Sequence, residues 1–114
     1  MRMLGLLAAS ALVFAACSED VAGPGGPGRI TVTNNFFSPA STNPDAADSV
    51  IFTWSSGGVL HSVVWEDLTA GSGQIGTGVH VRDFSGEAPG TYRFRCDIHS
   101  TTFGSGMSGQ IVVN

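Results

Sequence analysis

The sequence predicts an all-β fold, a Greek-key β-sandwich or barrel of about seven strands, over residues 29–114. Three observations predict it. Apolar residues recur with period two in short runs, the runs are separated by clusters of Gly, Pro, Asn and Asp, and no window keeps a helical period. In chain order the runs are Ile30 to Thr33, a short one at Phe36-Phe37, Val50 to Trp54, Val59 to Trp65, Val79 to Phe84, Thr91 to Cys96 and Gln110 to Val113. Successive side chains of a strand face opposite sides, so parity within each run predicts what points inward. In the run ending at Cys96, the inward set is Tyr92, Phe94 and Cys96, with Arg93 and Arg95 turned to water. The same count places His61 with Val59, Val63 and Trp65, and Met107 in step with Ile111 and Val113. His80, between Val79 and Val81, is expected to face solvent.

The N-terminal residues follow a different logic. Residues 1–16 begin Met-Arg, continue as an apolar run and end Ala15-Ala16 before Cys17, which is the pattern of an export signal and is too short for a permanent membrane span. Val13-Phe14-Ala15-Ala16-Cys17 resembles a bacterial lipobox, with Phe14 where Leu is usual, and this implies cleavage before Cys17 and lipid attachment to its sulfur. Residues 17–28 then form a tether, because Ser18 to Gly28 carries two acids, four Gly and two Pro and too little apolar surface to order itself. The expected location is the cell envelope, with the domain lipid-anchored to a membrane and facing periplasm or exterior. Ser18 after the Cys, in place of Asp, suggests the outer membrane in a double-membraned cell.

Composition excludes several classes of function. Of 114 residues only 12% are charged, the formal net charge is −4 and the five Arg are scattered, so no basic patch exists to neutralise nucleic-acid phosphates. Two cysteines cannot make a disulfide-dense scaffold or a four-thiolate zinc site. Three histidines are too few for a multicopper oxidase, and a single Cys in the Cys96 loop cannot build a binuclear copper centre. A Cys-His nucleophile would need an exposed thiolate, whereas Cys96 is read onto the core face, so no enzyme activity is expected.

What remains is a donor set. Cys96-Asp97-Ile98-His99 puts a thiolate and an imidazole at the end of one strand, Met107 follows just before the last strand, and His61 comes from a distant run. One Cys, two His and one Met are the ligands of a type 1 (blue) copper site, trigonal with a long axial thioether. Zinc accepts Cys and His but gains little from Met, so one copper ion, cycling between Cu(I) and Cu(II), is the expected cofactor.

At these residues the sequence resembles the cupredoxin family, most closely its plastocyanin-like electron carriers. The resemblance lies in Val50-Ile51-Phe52-Thr53-Trp54 with Leu60-His61-Ser62-Val63-Val64-Trp65-Glu66-Asp67, and in Gly90 to His99 with Gly106 to Val113. It covers about half of the folded part, and Leu68 to Ala88 matches in outline only. It implies copper held by His61, Cys96, His99 and Met107, and places Tyr92 at a tyrosine corner. Three departures stand out. Seven residues, Ser100 to Gly106, separate His99 from Met107 where plastocyanins have four; Arg95 precedes the Cys where they have Tyr; Ser62 follows the first His where Asn is usual. The implied function is a monomeric one-electron carrier, with the His99 edge as electron port amid Leu60, Phe103 and Gly104. A cytochrome c or a membrane oxidase or reductase is the implied partner. Two other readings use the chain differently: an envelope copper storage or delivery module with the same ligands, and a non-metal β-sandwich structural domain.

Overall fold

A computed structural model describes residues 27–114; the leader, Cys17 and most of the expected tether lie outside the described residues. The described residues form eight strands and no helix: β1 (Arg29–Thr33), β2 (Phe36–Ser38), β3 (Ser41–Thr42), β4 (Ser49–Trp54), β5 (Val64–Trp65), β6 (Val79–Asp83), β7 (Gly90–Arg95) and β8 (Ser108–Val113). They make two four-stranded sheets, ordered β2-β1-β4-β6 and β3-β8-β7-β5. β1 pairs parallel with β4 and β3 parallel with β8, while the remaining pairs are antiparallel. The fold is the all-β sandwich that the alternation predicts.

The core fills the space between the sheets. Val50, Phe52 and Trp54 of β4 alternate inward with Ile30 and Val32 of β1, facing Phe94 and Cys96 from the β7 segment and Ile111 of β8. Phe94 is the hub, with ring centroids 4.9 Å from Phe37, 5.0 Å from Phe52 and 5.4 Å from Trp65, all edge-on. The cross-strand partner of Phe94 is Gly109, where a Cβ would lie 2.6 Å from the ring and 2.4 Å from the Ala40 carbonyl. Only glycine fits there. Tyr92 makes the expected corner, its hydroxyl donating to the Ala88 carbonyl at 2.6 Å.

Two strand readings are corrected. The run Val59 to Trp65 is strand only at Val64–Trp65, with a single bridge from His61 to Ile75, and Val59 is exposed and not inward. In β6 the parity is the reverse of the hydrophobicity: Val79 and Val81 face out, while Arg82 is buried and His80 half-buried. Register explains this, because His80 and Arg82 stand directly opposite the core residues Phe52 and Val50 and so share their face. Inside, Trp65 Nε1 donates to His80 Nε2 at 3.2 Å. The Arg82 guanidinium lies 4.5 Å from the Trp65 ring, 4.4 Å from Phe84 and 5.2 Å from Tyr92. Its two terminal nitrogens donate to Asp67 at 3.2 and 2.7 Å, with Glu87 at 3.5 Å. A buried guanidinium is tolerable because it is both paired and stacked.

That pairing makes stability depend on acid. The hydrogen bonds from Arg82 pull the Asp67 carboxyl from 3.8 down to about 2. A carboxyl with a depressed folded pKa stabilises fully above its unfolded value and loses that contribution as pH falls through the folded one. Burial, then the charge of Arg82, also pushes the His80 imidazole below its usual 6.5. The same sign rule puts its share of the loss below that value, at milder acidity. Urea midpoints measured from pH 7 to 2 should therefore fall in two stages. Asp67→Asn should lower the neutral-pH midpoint and flatten the stage below about pH 4, leaving the earlier one; an unchanged lower stage would show that the pair is not its source.

Candidate metal centre

The candidate centre lies at one end of the sandwich, where the β1–β2 turn, the segment before β5 and the loop between β7 and β8 converge. Cys96 directly follows β7 and continues its inward parity. His61 is fixed through its backbone by two hydrogen bonds with Ile75, each 3.0 Å. His99 lies one turn beyond Cys96 and is exposed, whereas His61 and Cys96 have no solvent exposure.

The three donor atoms form a compact triangle. His61 Nδ1 is 3.2 Å from His99 Nδ1, and Cys96 Sγ is 3.6 Å from His99 Nδ1 and 3.9 Å from His61 Nδ1. A triangle with those sides has its corners about 2.1 Å from a common centre, within the ~2.0–2.3 Å span of imidazole and thiolate bonds to a borderline-soft ion. The set passes this test of fit to a metal. Burial, and then the neighbouring charge of His99, lowers the pKa of His61, favouring the neutral ring that a metal requires. Among the described residues, His61, Cys96 and His99 are the cluster of this kind that comes together.

Met107 is 2% exposed and bound to both halves of the Cys-His loop: its amide donates to the His99 carbonyl at 3.4 Å and its carbonyl accepts from the Cys96 amide at 2.9 Å. The seven residues before it fold onto themselves. The buried Ser100 hydroxyl lies 2.7 Å from the Thr102 carbonyl and 2.6 Å from that of Ser105. Gly106 has φ of 66°, and a Cβ there would meet the His99 carbonyl at 2.8 Å. The loop thus absorbs its extra length and still returns the chain to Met107 beside Cys96.

Of the residues that surround the donors, Asn34 and Gln74 escape a reading of the sequence, whereas Ser62 and Arg95 stand out there only as departures. Asn34, in the β1–β2 turn, places Oδ1 3.0 Å from His61 Nε2. Ser62 donates its hydroxyl to Asp97 at 2.6 Å and accepts the Asp97 amide at 3.0 Å, which ties the His61 segment to the Cys-His loop. Gln74 adds a donor at 3.3 Å to the same carboxylate, and these contacts, that of Ser62 first, hold the Asp97 carboxyl below its usual range. Arg95, expected in water, is half-buried: it donates to the Ser100 carbonyl and stacks 5.1 Å from the Phe103 ring. Phe103 and Gly104 accordingly lie against Arg95 and Arg93. The large apolar residues exposed next to the site in sequence are Val59, Leu60 and Ile98. His80 belongs to the Trp65 cluster and not to the centre.

No family model and no curated protein sequence matches the chain. Solved structures do match it in shape. A purple cupredoxin from Nitrosopumilus maritimus superposes with a TM-score of 0.59 at 21% identity, covering 75% of this chain and 97% of that one. A Cu-containing nitrite reductase from Thermus scotoductus SA-01 gives a TM-score of 0.60 at 21% identity, over 77% of this chain and 22% of the reductase. The chain therefore spans about a fifth of that enzyme's length, and at this identity the likeness is one of fold.

Proposed function

Because the chain has the cupredoxin fold, with Cys96, His61 and His99 converging at one end, we propose that it is a type 1 copper protein carrying single electrons at the cell envelope. The observation that carries this reading is the Nδ1, Nδ1, Sγ triangle with Met107 hydrogen-bonded through its backbone to the same loop. Copper, when bound, supplies the one-electron Cu(I)/Cu(II) couple. Cys96, His61 and His99 would hold it, with the Met107 thioether as the weak fourth donor; soft sulfur favours Cu(I) and so raises the potential.

The residues around the donors suit electron transfer by resisting rearrangement. His61 is pinned by Ile75, the Cys-His loop by Ser62 through Asp97, and Met107 by Cys96 and His99. Donors held this firmly would resist displacement when a bound ion gains or loses an electron, which would lower the reorganisation of each transfer. The exposed His99 is the exit for the electron. Val59, Leu60 and Ile98 offer a small apolar surface next to the ligand segments, suited to a short-lived complex with a cytochrome c or a membrane oxidase or reductase. Lipid on Cys17 would hold the domain at the membrane where such partners work.

The test is stopped-flow mixing of copper-loaded protein with reduced cytochrome c. Expected is oxidation of the cytochrome at the same rate as loss of the copper-thiolate absorption. Stoichiometric copper uptake without any exchange would instead favour a delivery role.

A further inference from the structure

The imidazole of His61 has two neutral tautomers, and only one leaves Nδ1 free to face Cys96 and His99. Its backbone is fixed at both N–H and C=O by Ile75, which leaves the ring to be governed by what its other nitrogen meets. That nitrogen, Nε2, lies 3.0 Å from Asn34 Oδ1. Asn34 comes from a two-residue turn whose ends are tied: Thr33 pairs with Phe36, the Thr33 hydroxyl donates to the Phe36 carbonyl at 2.9 Å, and Val32 accepts the Ser55 amide at 2.8 Å. The turn itself does not call for this side chain. Its left-handed residue is Asn35, with φ of 74°, and Asn34 is exposed to solvent although it reaches a fully buried ring.

We propose that Asn34 is the positioning residue of the centre: its amide oxygen accepts the Nε2–H of His61, selects the tautomer with Nδ1 free, and sets how strongly that nitrogen donates to copper. The copper part of this inference rests on the function proposed above. An acceptor behind a metal-bound imidazole raises the basicity of the ligating nitrogen, and basic nitrogen favours Cu(II) over Cu(I). A surface turn thereby controls the potential of a buried site through one hydrogen bond.

Two variants separate positioning from mere packing. Asn34→Leu removes the acceptor at an exposed position, and Asn34→Asp keeps the shape while making the acceptor anionic. Nitrogen-15 imidazole spectra of the metal-free protein should show a single Nε2–H tautomer for His61 in the natural chain and in Asn34→Asp, and a mixture in Asn34→Leu. After copper loading, Asn34→Leu should bind Cu(II) at least about tenfold more weakly with a raised potential. Asn34→Asp should lower the potential, by about 59 mV for each tenfold gain in preference for Cu(II). The idea is overturned if Asn34→Leu keeps the single tautomer, or if both variants move the potential in the same direction. Should the natural chain bind no copper, the proposed function fails while the tautomer spectra still decide what Asn34 does to His61.

Discussion

A Cys96→Ser chain titrated with Cu(II) is expected to show no intense visible absorption and to bind the ion far more weakly than the natural chain. The expected loss exceeds the ~10–100-fold typical of outer-shell changes, because a donor itself is removed. An intense visible band would arise from charge transfer out of a copper-bound thiolate, and Cys96 Sγ is the sulfur within 3.6 and 3.9 Å of two imidazole nitrogens. Serine fits the space but replaces a soft anionic donor with a hard neutral one. It also buries a hydroxyl, which costs about 1–3 kcal/mol if it finds no partner. Circular dichroism and a melting curve on the metal-free variant therefore belong beside the titration, so that lost colour is not mistaken for lost fold. Retention of the band in folded Cys96→Ser protein would refute thiolate ligation.

Phe94→Ala should be the most damaging core substitution, lowering stability by about 4 kcal/mol. That is a large share of the ~5–15 kcal/mol available to a domain. The ring meets Phe37, Phe52 and Trp65 edge-on, and Gly109 leaves room for it on the facing strand. With both sheets represented in that cluster, truncation leaves a cavity that neither sheet can close alone. Urea unfolding, with unchanged slope and a shifted midpoint, is the measurement; a loss under about 1.5 kcal/mol would mean that the neighbouring rings collapse into the space.

The alternation of β7 was readable because its inward residues are apolar and its outward ones are arginines, and that parity alone carried Cys96 into the interior. β6 misled for the opposite reason. Its inward residues, His80 and Arg82, are made tolerable by Trp65 and Asp67, and such distant partners leave no mark on local periodicity. The stretch around His61 reads as strand by its β-branched residues, yet most of it is shaped by pairing with Ile75 and packing against the Cys-His loop. The donor types and their spacing were visible, since Cys96, His99 and Met107 are near in sequence. The supports were less so: Asn34 stands 27 residues from His61, and Ser62, distinct only as the residue where Asn is usual, stands 35 from its partner Asp97, while polar side chains in turns are common without such a task. The long loop before Met107 could be counted, but its closure around Ser100 depends on hydroxyl and carbonyl geometry that composition does not encode.

The place of β8 between β3 and β7 bears on the life of the thiol during synthesis. A ribosome delivers the chain from the N-terminus, so Cys96 and His61 are both made before β8, the strand that joins β3 to β7. Contacts such as Asn43 with the Val112 carbonyl span 69 residues, and pairings this distant in sequence form slowly. Until they do, the thiol that ends wholly buried is open to oxidation and to stray metals. Folding is therefore also the step that takes this cysteine out of general thiol chemistry and encloses it beside His61 and His99.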